Sequence, residues 1–168
     1  MTYIPTITSR KRLPDWNTRW LTYYQFVKRN YRGLEWGEFD CTTWAGGTIE
    51  AVTGFDPHSE VRGLYNTPEQ GADILAEMGV VALGDFLIQR GYYEIPVVEA
   101  QLCDILEIPT DPRAASQLPE VFAWSLAVAT PPYAIGVGLS GLVKGPMLEA
   151  RRAFRVGADL TRRPLIDG

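Results

Sequence analysis

Residues 35–47 read EWGEFDCTTWAGG, and this stretch decides the fold. Asp40 directly precedes Cys41, and small residues and Trp44 follow. An aspartate just before such a run is a helix N-cap. A helix is therefore predicted from about Asp40 to Thr53, with Gly54 as its C-terminal stop. Cys41, Ala45, Ile49 and Val52 share one face of it. Gly46-Gly47 costs helix propensity, roughly 1 kcal/mol each relative to Ala, and a small surface there marks close approach of another backbone or a substrate. Cys41 falls in the first turn, where partial positive charge and unpaired N–H groups favour a thiolate and could hold an oxyanion. Asp40 works against that charge unless capping uses up its side chain. Trp36, Asp40 and Trp44 are the candidate cleft residues around Cys41, the candidate nucleophile.

The rest of the chain sets the frame. Its 168 residues suit one domain with a real core. Hydrophobic residues make up 46% and charged residues 21%, with a net charge of −4. The basic pairs are scattered among acids, so no nucleic-acid footprint is expected. One histidine, two cysteines and no CxxC spacing argue against a structural metal, and no cofactor is implied. Cys41 and Cys103 read as two free thiols. The N-terminal MTYIPTITSRKR has no apolar core of signal-peptide length. Val121 to Val143 carries no charge over 23 residues. Pro131-Pro132 and three glycines break it, so buried β-hairpins are predicted and not a membrane span.

Other elements follow from local signals. Residues 1–13 read as an arm, 14–156 as a single domain and 157–168 as a tail. Asp15 is the predicted N-cap of a first helix whose core face carries Trp16, Trp20, Tyr23, Tyr24, Val27 and Tyr31, ending at Gly33. TGFDPHSEVRGLYNTPEQ reads as a loop. Thr67-Pro68 opens a third helix that stops at Gly79, and a short helix spans Leu83 to Gln89. Strands are predicted at Leu102 to Ile108, Phe122 to Ala129 and Tyr133 to Leu139. Leu142-Val143 and Ala153 to Val156 complete the series. Helices first and hairpin-linked strands later predict an α+β fold, N-terminal helices packed on a small antiparallel sheet.

WGEFDCTTWAGG resembles the nucleophile segment of the NlpC-type branch of papain-like cysteine peptidases, and QLCDILEIP resembles that family's next landmark, with Cys103 where glycine is usual. More narrowly, the combination RLPDW, WGEFDC, TGFDP, RG, GLV and RRAFRV is similar to short phage-encoded members associated with tail tips. The resemblance implies a papain-like fold, with Cys41 as nucleophile and a histidine base at the start of the second sheet strand. YAIGVGLSG puts Ala134 at that position, and WSLAVATPP puts Trp124 or Ser125 there. Neither register supplies an imidazole. His58 lies past Gly54, roughly 20 Å from the helix start at ~1.5 Å per residue, and is expected in a surface loop. Cys41 is therefore expected to be vestigial. The implied role is a structural, docking component of a phage tail tip or baseplate, carried in the virion and made in the host cytoplasm. Its partners would be tail-tip or hub proteins, with a peptide or cell-wall ligand as a further option. The alternative is an active cysteine hydrolase of the peptidoglycan amidase or endopeptidase type, with a partner-supplied base. A small soluble binding protein unrelated to phages is the third reading.

Overall fold

The computed structural model describes residues 11–157. Five helices form among them: α1 (Trp16–Asn30), α2 (Cys41–Thr53), α3 (Pro68–Glu77), α4 (Leu83–Gln89) and α5 (Pro112–Ala115). Six strands make one antiparallel sheet: β1 (Glu94–Ile95), β2 (Ile105–Pro109), β3 (Trp124–Thr130), β4 (Tyr133–Gly138), β5 (Gly141–Pro146) and β6 (Arg152–Phe154). The sheet order is β1-β6-β2-β3-β4-β5. The class is α+β, with helices packed on an antiparallel sheet. The predicted arm and tail lie mostly outside the described residues. Of the arm, Leu13 is docked, its N–H donating to Val52 O (2.8 Å).

Helix α2 is the centre of the molecule, buried at every position but Thr42 and Glu50. Helix α1 covers one side, with Tyr23 and Tyr24 against Trp44 at ring centroid distances of 5.6 and 6.3 Å. Of the predicted aromatic face, Trp20 is buried, and Trp16, Tyr23, Tyr24 and Tyr31 pack half-buried at its rim. Asp15 occupies the cap position of α1, but its side chain makes no capping bond. Strands β3 and β4 cover the other side of α2. Their own ladder is short: Val128↔Ile135, Ala129↔Ala134 and Thr130↔Tyr133. Beyond Ile135 the α2 side chains take over, and Trp44 Nε1 donates to Ile135 O (2.9 Å). The uncharged stretch thus takes in β3, β4 and the first half of β5. No helix among the described residues is long and apolar enough to cross a membrane.

A buried carboxylate joins the second half of the chain to the helices. Glu107 on β2 accepts from Gly84 N–H in the first turn of α4 (2.8 Å) and from Arg151. Gly84 is required there: a Cβ would stand 2.5 Å from Glu107 Oε2 and 2.4 Å from Phe154.

The predicted strand at Leu102 begins later, because Leu102 and Cys103 form a turn in which Asp104 N–H returns to Gln101 O (2.9 Å). Cys103 has φ +72, the left-handed region that favours glycine. Its fully buried side chain coexists with that strain, and burial pushes the thiol up to about 12. Cys103→Gly and Cys103→Ala both remove the thiol, but only the first relieves the backbone. The glycine variant should be the more stable of the two by roughly 1 kcal/mol in urea unfolding. An alanine variant of equal or greater stability would contradict this.

Candidate functional site

Glycine and aspartate build the site before the cysteine enters it. Residues 35–39 close on themselves, Glu35 N–H to Phe39 O (2.9 Å) and Phe39 N–H to Glu35 O (2.7 Å). The turn uses Gly37 at φ +85, where a Cβ would meet Tyr65 O at 2.1 Å. Gly37 N–H then donates to Asp40 Oδ2 (2.9 Å). Asp40 also accepts from Thr42 N–H, Thr43 N–H and Thr42 Oγ1 at 2.7–3.0 Å, and from Tyr65 Oη (2.7 Å). In return Thr43 Oγ1 accepts from Asp40 N–H, completing a capping box. The WG…DC pattern is thereby explained as architecture.

Cys41 follows as the first residue of α2 and is 8% exposed at the floor of a cleft of about 210 Å³. Leu34, Trp36, Phe122, Val137 and Leu139 give the cleft apolar walls, while Thr110 and Ser125 add hydroxyls. The backbone N–H groups of Leu126 and Cys41 and the Ser125 hydroxyl pull the thiol pKa down. Burial nonetheless pushes the thiol up to about 12, and the Asp40 charge adds to that. Capping satisfies the Asp40 side chain, yet its charge still opposes a thiolate. Of Ala134, Trp124 and Ser125, Ser125 is the one that lines the cleft with Cys41. Ala134 lies in the cluster with Leu106, Ala127 and Met147 instead.

Two of the three cleft candidates lie elsewhere. Trp44 is fully buried in the core because its indole closes the end of the β3–β4 ladder. Asp40 is fully buried as the helix cap. Trp36 does line the cleft, and with Phe122 (ring centroids 4.9 Å apart) it also lines a small second cavity beside His58. Among the described residues no three of His, Cys, Asp and Glu gather as a metal-binding group.

His58 is not in a surface loop. The segment after Gly54 doubles back along α2: Arg62 Nη2 donates to Thr43 O (3.3 Å), and Tyr65 reaches Asp40. His58 is 3% exposed and stacks on Phe86 at 4.7 Å. Gly46 makes the room, since a Cβ there would lie 2.5 Å from His58 Nδ1 and 2.8 Å from Asp56 Oδ1. Gly47 does the same for Tyr23. The close approach expected at Gly46-Gly47 is thus made by the chain itself. At 3.6 residues per turn, Gly46 and Cys41 point about 140° apart around α2. His58 therefore faces away from Cys41, and the two form no dyad.

Burial pushes the His58 imidazole down to about 4, against the pull of Asp56. Its folded value lies below the ordinary 6.5, so the unfolded chain takes up the proton first as pH falls. Stability should be complete above about pH 6.5 and decline towards pH 4, with roughly 2 kcal/mol lost between pH 7 and 5. His58 Nδ1 has no hydrogen-bond partner, so His58→Phe removes the titration without breaking a side-chain bond. Urea unfolding at the two pH values should give the variant a much smaller change, and equal changes in both proteins would contradict the assignment.

No curated protein and no solved structure matches the chain. Residues 11–156 match a family described as a domain of unknown function, DUF6950. That span takes in the loop before α2, the helix itself, the return segment and the whole sheet, and the chain belongs to the DUF6950 family.

Proposed function

We propose that this protein is a catalytically impaired papain-like module of the NlpC type, used as a structural, docking component of a phage tail tip or baseplate. One observation carries the impaired reading: the side chain next to Cys41 on the sheet is the hydroxyl of Ser125, not an imidazole. A hydroxyl cannot take a proton from a thiol near neutral pH. Loss of general base help alone costs typically 10²–10⁴-fold. Helix α2 opening at Cys41 and running against β3 and β4 accords with the papain-like reading. The phage setting, the tail-tip or hub partners and the virion location rest on the motif resemblance alone. The cleft remains a place for a peptide or cell-wall ligand without turnover.

Peptidoglycan stem peptides should be left intact by the wild type and by Cys41→Ala to the same degree. Release of product that depends on Cys41 would favour the hydrolase alternative. Ser125→His puts an imidazole where the hydroxyl stands. It should speed iodoacetamide labelling of Cys41 at pH 7 by at least about tenfold, whereas an unchanged rate would show that Ser125 does not occupy the base position. For the docking role, mass spectrometry of purified tails should find the protein beside hub components. Its absence from assembled tails would overturn that part.

A further inference from the structure

One short motif occurs twice in the chain. PVVEA at 96–100 and PMLEA at 146–150 fold into the same single 3₁₀ turn. Pro96 and Pro146 lead in at φ −56°, ψ 138° and φ −66°, ψ 132°, and Ala100 and Ala150 lead out at φ −62°, ψ 134° and φ −64°, ψ 141°. In both, the alanine N–H returns to the carbonyl three residues back (3.1 Å). The two turns lie side by side, with α carbons within 8 Å of each other. The first apolar residue of each, Val97 and Met147, packs in one cluster with Ala127 and Ala129 of β3. Successive strand residues face opposite ways, and Leu126 and Val128 join the core around α2. The turns therefore cover the sheet face opposite α2. The second apolar residue of each turn points outward: Val98 is 74% and Leu148 69% exposed. Glu99 and Glu149 are exposed beside them, and among the described residues neither carboxylate forms an ion pair.

Helix α1, on the other side of α2, carries the opposite chemistry. Its Leu21 and Phe26 are 51% and 52% exposed. At about 100° per residue, Arg29 falls between those two around the helix, and Arg32 follows just past the helix end. Both arginines are exposed, and among the described residues neither forms an ion pair. We infer that a second copy of this chain docks head to tail, its α1 face against the paired turns: Val98 and Leu148 meet Leu21 and Phe26, while Glu99 and Glu149 meet Arg29 and Arg32. Charge complementarity selects this occupant. Turns against turns would set like charges together, and so would α1 against α1. Because the two patches lie on opposite sides of the molecule, the contact is heterologous and builds a ring or an open chain, not a closed pair. The inference goes beyond the docking reading and does not depend on it.

The test is sedimentation equilibrium of the full chain between about 1 μM and about 1 mM. In low salt the mass should rise with concentration beyond that of two copies, and added salt should lower it. Glu99→Arg with Glu149→Arg should weaken association at least about tenfold, and Arg29→Glu with Arg32→Glu should do the same. All four positions are exposed, and circular dichroism checks that both variants fold. Mixed one to one, the two variants should associate again, since each altered face suits the altered face of the other. A wild type that stays monomeric throughout overturns the inference. So does a species that stops at two copies, an association that neither charge reversal weakens, or a mixture that fails to recover it.

Discussion

The buried carboxylate of Asp40 holds the site together. It gathers donors from three separate pieces of chain: Gly37 in the preceding turn, Thr42 and Thr43 at the start of α2, and Tyr65 at the end of the return segment. Each of those groups would otherwise be a polar atom in a largely buried setting, at about 1–3 kcal/mol apiece. Satisfying them on one residue fixes where α2 begins. That in turn sets Cys41 at the cleft floor and Trp44 three residues further on, at the end of the β3–β4 ladder. The helix and the sheet are registered by this one cap.

The same placement accounts for the raised pKa of the Cys41 thiol. A helix N-terminus lowers a cysteine pKa when the sulfur is partly exposed and no anion is near. Here the first turn is buried, and the residue that caps it is an anion. At a value of about 12 the thiolate fraction near pH 7 is on the order of one in 10⁵. The features that make the fold stable are therefore the ones that raise the cysteine's pKa. Trp36 and the apolar walls line a cleft with Cys41 at its floor.

Local signals were readable from residues alone. Gly54 ends α2, Thr67 caps α3 through the Gln70 N–H, and the Pro-Pro pair separates β3 from β4. Each is a statement about neighbours in sequence. What sequence could not supply was set by tertiary packing. Nothing between Gly54 and Thr67 announces that the segment returns along α2, so His58 reads as a surface residue until Gly46 and Phe86 are seen against it. Trp44 looked like a cleft residue by proximity to Cys41, and the end of the β3–β4 ladder claims it. Which of Ala134 and Ser125 stands beside Cys41 depended on strand alternation relative to α2, which both glycine-based and order-based readings left open. The glycines at 46 and 47 did carry a usable signal, since two such costly residues inside a helix demand neighbours close enough to need them.

The most direct measurement of the central claim is an NMR titration of the Cys41 Cβ carbon, with Cys103 as the internal reference for a buried thiol. The Cys41 signal should keep its thiol position from pH 6 to at least pH 10. A titration midpoint below about pH 8 would mean an available thiolate, and would contradict the reading of this cleft as a silent one.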